Sequence, residues 1–234
     1  MEYVSIELNG LPGCGKTTLV NSLDTGIIKY FSLENSFFSC LNKPLGRFCS
    51  LKFCFFGNIL FDIKFIFYVQ KHAVCGKKKH ALQKVLKLFR FKGILKQNKN
   101  NFLLSEGYLQ IVLEIMDFLD VKNFQATDIF YEYVKNDLKN LTNLYFVLIK
   151  IPVSVAEQRI STRNSPLNTV DLMNPFERQG FLHKRFVNTE YLQNIVQKLI
   201  LPNRLLLIDG EASVEFKCSL LTTFLLTTIN RDNK

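Results

Sequence analysis

The chain has no tryptophan and only three methionines and six prolines; no functional reading attaches to these shortages. More telling absences are those of patterns. The six cysteines, Cys14, Cys40, Cys49, Cys54, Cys75 and Cys218, form no C-x-x-C pair, which excludes a zinc ribbon and a dithiol redox motif. His72, Cys75 and His80 lie close together without a fourth ligand, so no metal site is expected there. The opening Met1-Glu2-Tyr3 lacks a basic stretch and a long apolar run. No export signal is expected, and the cysteines read as reduced thiols of a cytoplasmic protein. The most apolar stretch, Phe53 to Val69, is short for a membrane span and contains Asp62 and Lys64. A buried or groove-lining helix is expected there, and no membrane span. Acidic residues are missing from Ile63 to Ser105, while lysines and arginines run from Lys64 to Lys99. Within this window Ala81, Leu82, Val85, Leu86, Leu88 and Phe89 fall at helical spacing. Either the lysines face water, or they form a basic rim that steers an anion. The net charge of +10 suits anionic partners without choosing among them.

What is present starts near the amino terminus. Gly10-Leu11-Pro12-Gly13-Cys14-Gly15-Lys16-Thr17-Thr18 fits G-x-x-x-x-G-K-[ST], the phosphate-cradling loop. Tyr3 to Asn9 reads as a buried strand before it, and Thr17 to Leu23 as the first turns of a helix after it. Strand, glycine loop and helix form the context this motif requires. Gly10, Gly13 and Gly15 let successive backbone N–H groups turn inward onto phosphate oxygens. The helix start adds unpaired N–H groups and the positive end of its dipole. Lys16 is expected on the β- and γ-phosphates, and the Thr17 hydroxyl on Mg²⁺. All nine residues from Gly10 to Thr18 are candidates for nucleotide binding.

A second informative place is Asn101 to Ser105, a short buried strand that ends in Glu106-Gly107 before an apolar helix from Tyr108 to Leu119. In open α/β sheets, ligands sit at the carboxyl ends of strands. A carboxylate there can help hold Mg²⁺ or take a proton from an acceptor hydroxyl, so Glu106 is the candidate catalytic carboxylate and metal ligand. The alternative is a glutamate that complements the following helix dipole. Further on, Asp128 to Leu141 reads as a helix and Leu144 to Ile149 as a strand stopped by Pro152. The helix from Ser154 to Thr162 carries Arg159 and leads to Arg163, at i+4. Two guanidiniums on one face suit a polyphosphate whose charge shifts during transfer, or are ordinary cations at a helix end. Gly26 to Phe31 reads as a second strand, and Arg204 to Asp209 as the last. Phe176 to Leu199 reads as a long helix with Phe181, Phe186, Tyr191, Ile195 and Leu199 inward, and a final helix starts near Ser213. The length suits one domain, over 1–230, with a helical basic insertion at 42–100 and a lid at 159–178.

These residues resemble the thymidylate-kinase-like branch of the P-loop nucleoside and nucleotide kinases. The likeness lies in the glycine loop, in Pro152 to Ala156 followed by Arg159 and Arg163, in Phe176-Glu177-Arg178 with Phe181, Phe186 and Tyr191, and in Leu207 to Ser213. It covers the start and roughly residues 101–225. The resemblance implies an α/β three-layer fold with a parallel five-stranded sheet in the order 2-3-1-4-5, flanked by helices. It implies that Arg159 and Arg163 are lid arginines on ATP phosphates and that Glu106 stands at the end of the third strand. Two departures are plain. Thymidylate kinases carry Asp-Arg, and deoxynucleoside kinases Glu-Arg, where this chain has Glu106-Gly107. The Arg-Glu-Pro-Gly run after the second strand is also absent, and Arg47 or the lysine-rich segment is the available substitute.

The function expected is ATP- and Mg²⁺-dependent phosphoryl transfer to a small acceptor, a nucleoside or nucleoside monophosphate. Lys16, Glu106, Arg159 and Arg163 are its catalytic candidates, and Thr17 and Glu106 its metal ligands. A second reading is a nucleotide-binding regulatory protein with little transfer activity. A third, ranked last, is a kinase or ATPase acting on nucleic acid. The partners are a nucleoside triphosphate and a small acceptor, with room for a homodimer.

Overall fold

The computed structural model describes residues 3–33, 59–97, 100–119, 128–163 and 169–231. The expectations placed on Arg47 and on the start of the apolar stretch, up to Asn58, lie outside them.

Strand β1, Ser5–Gly10, is buried along its whole length at the centre of a parallel sheet. β3, Phe102–Leu104, pairs with one side of it and β4, Leu144–Lys150, with the other. β5, Leu205–Asp209, lies beyond β4, and a two-residue β2, Ser32–Leu33, pairs with β3. The strand order is β2-β3-β1-β4-β5. Since every pairing is parallel, the carboxyl ends of the strands share one edge, where the connections after β1, β3 and β4 emerge.

Burial on both faces explains the continuous run of buried residues in β1 and β4. One face, through Ile6, Leu8, Leu103, Val147 and Ile149, packs on α1, Lys16–Asn21, and α9, Val214–Arg231. The other, through Phe102, Leu104, Phe146 and Leu148, packs on α5, Tyr108–Asp117, α6, Ile129–Asn140, and α8, Pro175–Leu199. On that second face the central strand presents Ser5, Glu7 and Asn9, all buried. Helices α3, Ile59–His72, and α4, Lys78–Gln97, pack outside α5 and α6, while α7, Val153–Ser161, follows β4. Among the described residues no helix is long and apolar enough to cross a membrane.

One expectation is corrected and two are refined. Gly26 to Phe31 is not a strand: Asp24 accepts a hydrogen bond from the Gly26 N–H at 2.5 Å and starts a short helix, α2, Thr25–Ile28. This cap outweighs the apolar run, and the strand begins only at Ser32. The inward face of α8 is also more polar than its aromatic spacing predicts. Leu182, Arg185, Asn188, Thr189, Leu192, Gln193 and Val196 are buried with Ile195, while Phe181, Phe186, Tyr191 and Leu199 are half-buried and pack against the core, facing inward as their spacing predicts. Arg185 can turn inward because Asp117 of α5 pairs with it.

The basic window, finally, is neither wholly a solvated face nor wholly a rim. Lys84 and Lys87 reach Glu114 at 2.7 and 3.7 Å, and His80 stacks on Phe118, so α4 runs antiparallel to α5. Exposed Lys77, Lys78 and Lys79 therefore lie near the carboxyl end of α5, away from Glu106. Lys92 is half-buried and turned inward instead. Its Nζ donates to Asp137 at 2.9 and 3.1 Å and to the Tyr133 hydroxyl at 2.8 Å, and stands 3.5 Å from Asp62. Tyr133 donates to Asp62 at 3.0 Å and Tyr108 to Asp137 at 3.2 Å. Burial holds both phenols well above their ordinary range, so they remain donors.

Candidate active site

The glycine loop turns from the end of β1 into α1 at the carboxyl edge of the sheet. Two of its glycines take conformations that side chains avoid, with φ of 84° at Gly13 and 93° at Gly15. At Gly10 the constraint is space, since a Cβ there would stand 2.5 Å from the Ile149 carbonyl oxygen. The loop is closed internally by Cys14 N–H donating to Leu11 O at 3.1 Å. Among the described residues, the N–H groups of Gly13, Gly15, Lys16, Thr17 and Thr18 meet no protein acceptor. They form the concave, donor-rich surface an anion requires. The Lys16 ammonium closes the ring by donating to Gly10 O at 3.0 Å and lies 3.7 Å from Cys14 Sγ.

A cavity of about 550 Å³ opens on this loop. It brings together the loop from Pro12 to Thr18 with Ser105, Glu106 and Gln110 from the β3–α5 junction, and Arg163 from beyond α7. A neighbouring cavity of about 450 Å³ continues over Gly13 and Gly15 to Arg159, Arg163, Ser213 and Lys217. Glu106 is half-exposed, and Lys87 of α4 approaches it at 3.6 Å. Of the two arginines, Arg159 donates to Gly210 O at 3.1 Å, and Arg163 donates from one nitrogen, Nη1, to both carboxylate oxygens of Asp171 at 3.0 and 3.1 Å. Arg178 adds bonds to Ser161 Oγ and to the Asp171 and Met173 carbonyls, tying the start of α8 to the end of α7. Leu11 alone among the loop candidates turns away from both cavities, into the core beneath the loop.

The residue that sequence reasoning missed is Glu7. Its carboxylate accepts from the Leu109 N–H and the Gln110 N–H, each at 3.0 Å, so a side chain of the central strand caps α5. The signal available was one carboxylate inside an otherwise apolar strand. Burial pushes the Glu7 carboxyl up to about 7, against the lowering effect of the amides. The folded chain thus keeps a proton that the unfolded chain releases from about 4.5 upward. Stability is expected to fall as pH rises between these values, by at most about 3 kcal/mol. Denaturant titrations at several pH values check this, and Glu7→Gln is expected to flatten the slope. Gln110 and Lys217 were also missed, because only the packing of α5 and α9 brings them to the cavities.

The fold and site together are thus a parallel α/β sheet with a glycine loop between its central strand and the first helix, and a carboxylate at the end of the adjacent strand. No protein-family model and no curated protein sequence matches the chain. Solved structures do match. That of deoxyadenosine kinase from M. mycoides with bound dATP superposes with a TM-score of 0.51 at 20% identity, covering 95% of this chain and 100% of that one. The same kinase with dCMP and a flexible dCDP gives a TM-score of 0.51 at 16% identity, covering 96% and 99%. The likeness is one of fold: a parallel sheet with flanking helices. The resemblance to the thymidylate-kinase-like branch rests on sequence motifs alone.

Proposed function

We propose that the chain is an ATP- and Mg²⁺-dependent kinase that phosphorylates a nucleoside or a nucleoside monophosphate. One observation carries this reading: the uncommitted loop amides, Lys16, Thr17 and Glu106 all open on a single cavity. The fold shared with a deoxyadenosine kinase supports it, and deoxynucleosides are the acceptors to try first.

The residues fit the metal. Mg²⁺ bound with a triphosphate takes few protein ligands, and a hydroxyl and a carboxylate, Thr17 and Glu106, face the same space. When bound, the ion neutralises charge on the β- and γ-phosphates. The chain's own part is positioning and charge. The loop amides and Lys16 hold the triphosphate, and Arg163, facing both cavities, meets the γ-phosphoryl as its charge spreads. Arg159 lies further along the neighbouring cavity and meets the donor nucleotide there. In the transfer the bond from the γ-phosphorus to its bridging oxygen breaks and one to the acceptor oxygen forms. Glu106 takes the proton of an acceptor hydroxyl.

The test is a panel of deoxynucleosides, nucleosides and their monophosphates with labelled ATP, beside the Lys16→Ala variant. Transfer to at least one acceptor, lost in the variant, is expected. Glu106→Gln is expected to lower kcat by about 10²- to 10³-fold while ATP affinity, by calorimetry, changes by less than about threefold. Full activity in that variant would remove Glu106 from the mechanism. The second reading, a regulatory nucleotide binder, is favoured by the lack of a cation directly after Glu106; ATP binding without any product would establish it.

A further inference from the structure

We infer that Glu7 is a positioning residue for phosphoryl transfer, clamping the β3–α5 junction so that Glu106 and Gln110 face the phosphate loop. This rests on the kinase reading above. Glu7 lies on β1 three residues before Gly10, within the strand that delivers the loop. Its carboxylate is fully buried, and its hydrogen-bond partners are main-chain amides of the first turn of α5. A carboxylate is costly at such a place, and an apolar side chain would satisfy the core without that cost. What the carboxylate does there, and an apolar group cannot, is take up two orphan N–H donors and fix the direction in which α5 leaves the strand.

The fit at Gly107 gives a second, independent observation. A Cβ at this position would stand 2.6 Å from the Glu7 carboxyl carbon and 2.7 Å from Oε2. Gly107 has a negative φ, −136°, so no left-handed turn calls for the glycine, and the contact with Glu7 is what a side chain here would meet. Glu7 and Gly107 are therefore matched parts of one device. It grips the chain at 107, 109 and 110, and Glu106 and Gln110, which line the cavity together with Ser105 of the same junction, are set by that grip. Because one strand carries both the loop and the clamp, the donor and the acceptor sides of the cavity are held in a fixed relation. An error of about 1 Å in such a relation costs on the order of 10²-fold in rate.

The experiment measures kcat, KM for the acceptor, ATP dissociation constant and thermal midpoint for the wild type, Glu7→Gln, Gly107→Ala, Glu7→Ala, and the Glu7→Ala/Gly107→Ala and Glu7→Gln/Glu106→Gln pairs. Glu7→Gln is expected to lower kcat by about 10- to 100-fold with ATP affinity within about threefold of wild type. Gly107→Ala should act alike, yet add no further loss in the Glu7→Ala background, where the clash is gone. Glu7→Gln should add little to Glu106→Gln, since both act through one carboxylate. A folded Glu7→Gln protein with kcat within about twofold of wild type would overturn the inference. So would a parallel loss of ATP affinity and kcat, which marks a purely structural support of the loop, or losses that multiply in the paired variants. Should Glu7→Gln fail to fold, Gly107→Ala decides by the same criteria. A wild type inactive on every acceptor overturns the kinase reading and the inference with it; an active wild type beside an equally active Glu7→Gln overturns the inference alone.

Discussion

Replacing Lys16 by alanine is expected to take phosphoryl transfer to the assay floor, a loss of about 10³-fold or more, with the fold intact. The side chain is half-exposed, and its partners are the Gly10 carbonyl and the Cys14 sulfur. Removing it therefore costs the core nothing and leaves no buried donor unpaired. What goes is the ammonium that stands against the ring of loop amides. A charged donor aimed at developing charge in a water-poor site is worth 10²- to 10³-fold by itself, and here it also aligns the triphosphate. Arginine is not expected to substitute, because a planar fork cannot occupy the space of a compact ammonium. Rates with the best acceptor, beside circular dichroism of the variant, check the result.

The second large effect concerns stability. Lys92→Met is expected to destabilise the chain by about 3–5 kcal/mol, a fall in thermal midpoint on the order of 10 °C. Lys92 is the cation that faces the buried carboxylates of Asp62 and Asp137, and its loss leaves them against each other and against two phenols. Burial already holds the Asp137 carboxyl above its usual range despite the ammonium. The Tyr133 ring, stacked on Phe65 at 3.8 Å between centroids, cannot move aside to admit water without opening the core. Denaturant unfolding measures the loss. Removing Asp137 together with Lys92 should recover part of it, since the stranded charge goes as well.

The parts of the fold written in local pattern were legible. A glycine loop between an apolar run and a helix announces itself, because the loop geometry demands those residues in that order. Leu144 to Ile149 read as a strand because burial on both faces admits only apolar residues, and Ser213 was read as a cap, which its bond from the Phe216 N–H bears out at 3.2 Å. What pattern could not show is pairing between distant elements. Lys92 looks like any lysine on a basic helix until α3 and α6 bring Asp62 and Asp137 to it. Arg185 and Gln193 look like surface residues of α8, and burial of its polar side depends on α5. The departure Glu106-Gly107 looked like a missing arginine. In the structure a side chain at the position would press on the Glu7 side chain, a hundred residues earlier in the chain.

Titrating the wild-type chain with ATP in a calorimeter, with and without Mg²⁺, tests the central claim most directly. Saturable binding is expected, with a dissociation constant in the micromolar range, tighter with the metal and largely lost in Lys16→Ala. No heat with ATP or GTP in the presence of Mg²⁺, or binding that Lys16→Ala leaves unchanged, would contradict it.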